Sequence, residues 1–411
     1  MCSPLLSVFR CAVLCACAMG AAPRFAFAQN GSPTGPAVVT PLQDDAQLHD
    51  VHLVGKDLAW GVGDHGVIWA SNDGGKSWAL QSSGVSAPLH SVWFLNRREG
   101  WIVGGETEPF THRTRGVVLH TTDGGDHWEL IWPRSDQTVS TKSEPEEAES
   151  GGSFQFKTPP LAQDVEGVDD LPGPELVTRL PRLRRVRFFT PKLGLAAGVP
   201  DATSPGGVFR TDDGGLSWRS LSGDIGEEWL GADFANYDTG VVVGLRGETA
   251  RVVGRKVDRS RRPSIGNRGL YDVALTSAQV GWLVGDGGLV LKTTNGGLVW
   301  QAPEESLPED VRKLFDFRAV ACRGADVWVA GEPGGVIWHS PDGGQSWGAQ
   351  LTGQPLPITA IHFSDERCGC AAGALGLILR TSDGGATWKV VRGGKRRLAL
   401  WQLHGRGSQV R

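Results

Sequence analysis

The sequence predicts an all-β chain, a seven-bladed β-propeller of four-stranded antiparallel blades. Two observations carry this. A short acidic glycine turn recurs six times, as "SNDGGKSW", "TTDGGDHW", "TDDGGLSW", "TTNGGLVW", "SPDGGQSW" and "TSDGGATW". Ahead of each turn lie three alternating, β-branched runs separated by polar or glycine-rich turns, with no sustained helical period. Units of about 40 residues with four strands each are the mark of a propeller, because one blade cannot bury both faces alone.

Spacing gives the blade number. The turn acids Asp73, Asp123, Asp213, Asn295, Asp342 and Asp383 are separated by 50, 90, 82, 47 and 41 residues. The gap of 82 hides one unit, "WLGADFANYDTGVVVGLRGETARVV" (229–253), which keeps three strands and has lost its acidic turn. The gap of 90 holds instead a polar insert at about 134–181, where nine carboxylates stand against two lysines between 136 and 170. Its Pro, Ser and Gly content predicts a loosely ordered segment. Six visible turns and one lost turn make seven blades.

The propeller is expected over 49–405, after a linker at 29–48 and before a tail at 406–411. Residues 396–405, "RRLALWQLHG", could supply a strand that closes the ring beside the first blade. The N-terminus combines Arg10, a short apolar run at 11–22 and the small-x-small site Ala26-Phe27-Ala28, which predicts a signal peptide over 1–28. The product expected is exported, in a periplasm or comparable lumen, without stable membrane insertion. Lipidation at Cys17 is the alternative that "LCAC" leaves open. A net charge of -4 gives no bulk reason to expect nucleic acid as partner.

Within each turn the Asp can accept backbone N–H groups, forming an Asx-type turn. A glycine such as Gly75 or Gly385 permits positive φ. The tryptophan (Trp78, Trp128, Trp218, Trp300, Trp347 or Trp388) begins the outer strand and covers the turn. Asn295 fits this role, since an amide oxygen accepts a hydrogen bond but is no general base. One carboxylate per turn is too few for a calcium site. The boxes are therefore expected to be structural.

This pattern resembles the Asp-box, or BNR, repeat of sialidases, sortilin-type receptors and non-enzymatic propellers. The text "GWLVGDGGLVLKTTNGGLVW" (281–300) looks most like the photosystem II stability and assembly factor family. The resemblance covers about 49–391 and implies an exported seven-bladed propeller that assists assembly of a membrane complex. That complex would be photosystem II in a phototroph and another envelope complex elsewhere. The family is associated with an arginine patch on the propeller surface.

The residues themselves offer a basic segment at 246–268, with seven arginines and one lysine against two carboxylates. Arg246, Arg251, Arg255, Lys256, Arg259, Arg261 and Arg262 are candidate partner-binding residues, as are Arg184, Arg185 and Arg187 entering the third blade. Guanidinium groups pair bidentately with carboxylates, so a carboxylate-rich protein is the expected partner, bound by a monomer. A solvated basic loop contacting the acidic insert is the plainer alternative.

The rival function is a carbohydrate-active Asp-box protein, a glycosidase or lectin. A sialidase would need a Tyr nucleophile, and only Tyr237 and Tyr271 exist. Its arginine signature has a near miss at Thr178-Arg179-Leu180-Pro181, where Thr replaces an aromatic residue. A glycosidase should show two convergent carboxylates roughly 5 to 9.5 Å apart. No catalytic residue, cofactor or metal is assigned. His52 and His362, in innermost strands that ring closure would make neighbours, are a conceivable metal pair or two polar residues of a wet channel. Beyond the signal only Cys322, Cys368 and Cys370 remain, enough for one bridge from Cys322 to the later pair.

Overall fold

The computed structural model describes residues 39–132, 175–200, 206–221, 228–259 and 265–393. Seven antiparallel sheets follow one another along the chain. Their first strands are Leu48–Val54, Leu89–Phe94, Arg182–Phe188, Trp229–Asn236, Leu270–Leu275, Asp316–Arg323 and Ile358–Phe363. Each packs against the next and the seventh against the first, closing a ring around an axial channel. Because strands alternate in direction, the acidic turns share one face with the first turns of the blades. We call this the box face; the opposite one, where first strands begin, is the entry face.

Two blades depart from four strands. Blade 5 has only three, ending at Leu289–Thr293, with a single bridge from Lys292 to Gln301 beyond. Blade 3 has five, since Glu175–Leu176 pairs onto its outer strand Arg219–Ser220. The close of the expected insert thus belongs to the fold. Leu180 is buried between blades 2 and 3, and its carbonyl accepts the Gly116 N–H. The signal peptide, Cys17, the insert up to 174 and the 396–405 stretch lie outside the described residues. Blade 7 takes its four described strands from 358–392. Arg392 lies over the Trp69 ring at 3.4 Å and binds Asp44 of the short helix Pro41–Asp44 at 2.8 Å.

The acidic turn is a local hydrogen-bond cage. In the first, Asp73 Oδ1 accepts from Lys76 N, Ser77 N and Ser71 Oγ, and Asp73 Oδ2 accepts from Ser77 Oγ at 2.6 Å. Gly75 N donates to Ser71 Oγ with φ at 82°, a conformation costly for any residue with a Cβ. Asn295 works because Val299 stands where Ser77 does. With no hydroxyl to satisfy, the single Oδ1 accepting Val299 N and Thr293 Oγ1 suffices.

The cage also latches blades together. The carbonyl of its first glycine accepts a donor from the preceding blade: Trp60 to Gly124, Trp101 to Gly214, Lys292 to Gly343, Trp328 to Gly384, and Arg380 to Gly74 across the closure. The second-strand tryptophans stack on the next blade's phenylalanine, Trp101 on Phe188 at 3.8 Å and Trp328 on Phe363 at 3.7 Å. Trp218 and Trp388 of the boxes then meet those phenylalanines edge-on. Blade 4 replaces its cage by a two-residue hairpin, Gly254-Arg255, in which Gly254 takes φ of 60°. One contact survives the loss. Gly254 N donates to Asp238 O at 2.7 Å, as Gly74 N does to Asp57 O.

The cages hold their carboxylates down. Hydrogen bonds from Ser346 and Thr387 bring Asp342 and Asp383 to about 2, from an ordinary 3.8, and Asp73 and Asp123 are lowered likewise. A depressed folded-state pKa gives stability that is complete above the unfolded value and lost as pH falls through the folded one. Thermal stability is expected to decline from about pH 4 toward pH 2. In Asp383→Asn, which keeps the acceptor but cannot titrate, the melting temperature should fall less over that range than in the parent protein.

Candidate functional site

Every first strand opens with a β-bulge, between Leu48 and Asp50 in blade 1, Leu183 and Arg185 in blade 3, and Leu270 and Asp272 in blade 5, for example. The bulge sets which residues face the axis. Alternation then lines the channel with one ring containing Asp50, Ser91, Arg185 and Asp272, and a second containing His52, Trp93, Arg187, Asp233 and His362. The channel encloses about 970 Å³, part of it open to solvent.

These side chains complete the backbone. An innermost strand is an edge, with N–H groups facing the channel. Asp50 accepts Val92 N, Ser91 accepts Val186 N, Asp233 accepts Leu275 N, Asp272 accepts Val320 N and His362 Nδ1 accepts Leu53 N. In each case the acceptor belongs to one blade and the donor to the next. Blade 3 offers arginines there, and these find carboxylates instead: Arg185 pairs with Asp272 at 3.0 Å and Arg187 with Asp233 at 2.6 Å. Burial pushes the Asp50 and Asp272 carboxyls up while Arg185 pulls both down.

Arg185 and Arg187 were expected on the surface, and the bulge is why they are not. Arg184, in the bulge itself, is half-buried at the entry-face mouth with Nη1 3.4 Å from His90 Nδ1. Burial, then neighbouring Arg182, lowers the Arg184 guanidinium to about 10. The basic segment of blade 4 does not form one patch either. Arg246 is exposed at the entry face, where its N–H donates to Glu248, whereas Arg255 and Lys256 are exposed at the box face. Arg251 is half-buried between them, and Arg259 is exposed toward the entry end of the outer strand. Arg261 and Arg262 lie outside the described residues.

His52 and His362 are adjacent as ring closure requires, their centroids 4.6 Å apart, and His52 also packs on Trp93. Burial lowers His52 to about 3 and His362 well below its ordinary value, aided in both by Arg187 and Arg323. Among the described residues no group of three or more His, Cys, Asp or Glu could hold a metal. Cys322, Cys368 and Cys370 are free thiols, and burial raises Cys322 and Cys370 to about 12. The channel carboxylates were missed in the sequence, although period-two reading of the aligned first strands places Asp50, Asp233 and Asp272 on the axial side.

Ring, cages and channel define the class: a seven-bladed propeller built on Asp-boxes. The family model described as Photosynthesis system II assembly factor YCF48 matches residues 34–137 and 265–394, and the chain belongs to that family. It is 34% identical over 303 residues to Photosystem II assembly protein Ycf48 of Synechococcus sp. (strain JA-3-3Ab), covering 69% of this chain and 82% of that one. With Photosystem II assembly lipoprotein Ycf48 of Synechococcus sp. (strain CC9902) identity is 33%, over 29% of this chain and only 35% of the relative. Among solved structures, "YCF48 bound to D1 peptide" aligns with a TM-score of 0.57 at 22% identity, covering 82% of this chain and 94% of that one. The GH74 xyloglucanase from Xanthomonas campestris aligns with a TM-score of 0.57 at 14% identity, covering 85% of this chain and 55% of the enzyme, a likeness of fold alone.

Removing Arg185 would leave buried Asp272 and Asp50 without their cation. Arg185→Ala should therefore cost about 3–5 kcal/mol of stability, read from chemical denaturation.

Proposed function

We propose that this protein is a non-enzymatic, exported scaffold that binds protein and assists assembly of a membrane complex. Membership in the YCF48 family carries the reading. In a phototroph the complex is photosystem II, as the names of the relatives state for themselves; elsewhere it is an envelope complex. No described helix is long and apolar enough to cross a membrane, and two relatives are named lipoproteins. The lipoprotein names support action from the non-cytoplasmic side, in the periplasm or a thylakoid lumen.

The channel supports a binder over a glycosidase. Asp50, Asp233 and Asp272 each accept a neighbouring blade's N–H, and Arg185 and Arg187 sit against them. A general acid or nucleophile committed to such bonds is poorly placed to meet a sugar. The exposed basic residues Arg246, Arg255, Lys256 and Arg259, together with Arg184 at the mouth and Arg261 and Arg262, are the proposed partner-binding set.

Crosslinking and pull-down of the mature protein from native membranes tests this. Subunits of one membrane complex should be recovered, less of them as salt rises, and less again with Arg255→Glu and Lys256→Glu together. Recovery of no membrane subunit, with hydrolysis of a polysaccharide panel, would overturn it.

A further inference from the structure

Blade 5 stops one strand short, and the reason is a single residue. Three positions after the box tryptophan, blades 1 and 6 carry Gln81 and Gln350, which continue the outer-strand ladder opposite Ile68 and Ile337. Blade 5 carries Pro303 at that position, and proline has no N–H for a ladder. Lys292 and Gln301 exchange both backbone bonds, at 2.8 and 2.9 Å, and there pairing ends. At the other end of the strand Gly288 N donates to Phe315 O at 2.5 Å. Outward-facing residues alternate along a strand, so Gly288, Val290 and Lys292 share the outer edge. Of these, Val290 alone keeps both N–H and C=O unpaired among the described residues.

The gap is shaped and charged. A groove of about 800 Å³ runs beside Leu289–Leu291, walled by Pro303, Leu307 and the short helix Glu309–Leu314. Val290 is only 7% exposed, a setting in which an unpaired amide is costly. Arg268 lies over Gly287, and Arg312 and Lys313 line the rim, while the one carboxylate there, Glu309, is held by Lys313 at 2.7 Å. Elsewhere the fold already lengthens a blade this way: Glu175–Leu176 adds antiparallel to blade 3, with Ser220 opposite Glu175.

We propose that the blade 5 groove takes an extended acidic peptide segment of a protein partner, added as the missing fourth strand. One residue of that segment exchanges two backbone hydrogen bonds with Val290, and flanking carboxylates meet Arg268 and Arg312. This rests on the reading of the protein as a protein-binding scaffold.

The test uses the mature full-length protein and the blocked peptide Glu-Val-Glu-Val-Glu, with the same peptide N-methylated at its central residue as control. Amide exchange at Val290 should slow about tenfold or more with the first peptide and stay unchanged with the second, which lacks the donor. Pro303→Gln, which lets the chain's own strand continue, and Arg312→Glu should each weaken binding about tenfold. Unchanged exchange at Val290 with millimolar peptide, or equal effects of both peptides, would overturn the proposal. Protection of Val290 that depends on protein concentration without peptide would also overturn it, assigning the groove to a second copy. A protein that still captures membrane subunits but fails at Val290 would remove the groove and leave the scaffold reading standing.

Discussion

A propeller must satisfy the inner edges of its sheets, where seven strands present unpaired backbone groups to a narrow channel. Here the side chain of one blade accepts the N–H of the next at five of the seven junctions. The ring therefore closes from the inside, at the junction of blades 7 and 1 as elsewhere, where Leu53 N meets His362. Farther out, box carbonyls receive donors from the preceding blade, so four junctions, 1–2, 2–3, 5–6 and 7–1, are held at two radii. An arginine or alanine in place of an acceptor is tolerated only where another bond takes over, as the pairing of Arg187 with Asp233 does between blades 3 and 4.

This division of labour explains why the repeated motif carries no chemistry. Its acid is saturated by local donors, its glycines permit the turn, and its first carbonyl is committed to a neighbour. Function is left to what the frame does not use. We propose that this remainder is the basic loops of blade 4, the mouth near Arg184 and the unfinished edge of blade 5. The blade that lost its cage keeps Gly254 N against Asp238 O, and Trp229, Phe234 and Val252 still pack it on blade 3.

The frame was legible in the sequence because each part of it repeats. Spacing from Asp73 to Asp383 fixed the blade count, and the aligned first strands put His52 beside His362 across the closure. The site was less legible because it depends on single residues that break the repeat. A one-residue bulge turns Arg185 and Arg187 inward, and strand direction sends Arg246 and Arg255 to opposite faces. Pro303 ends a strand that the box spacing alone would continue. Period-two alternation groups these side chains on one side of the strand, and the bulge ahead of them turns that side to the axis.

At five junctions a side chain of one blade satisfies the inner edge of the next. Site-resolved amide exchange in the intact protein measures this directly. Val92 and Val320, which have Asp50 and Asp272 as acceptors, should exchange far more slowly than Ala232 and Ile361, which face the channel without one. Equal exchange at all four amides would show that these side chains do not protect the inner edge.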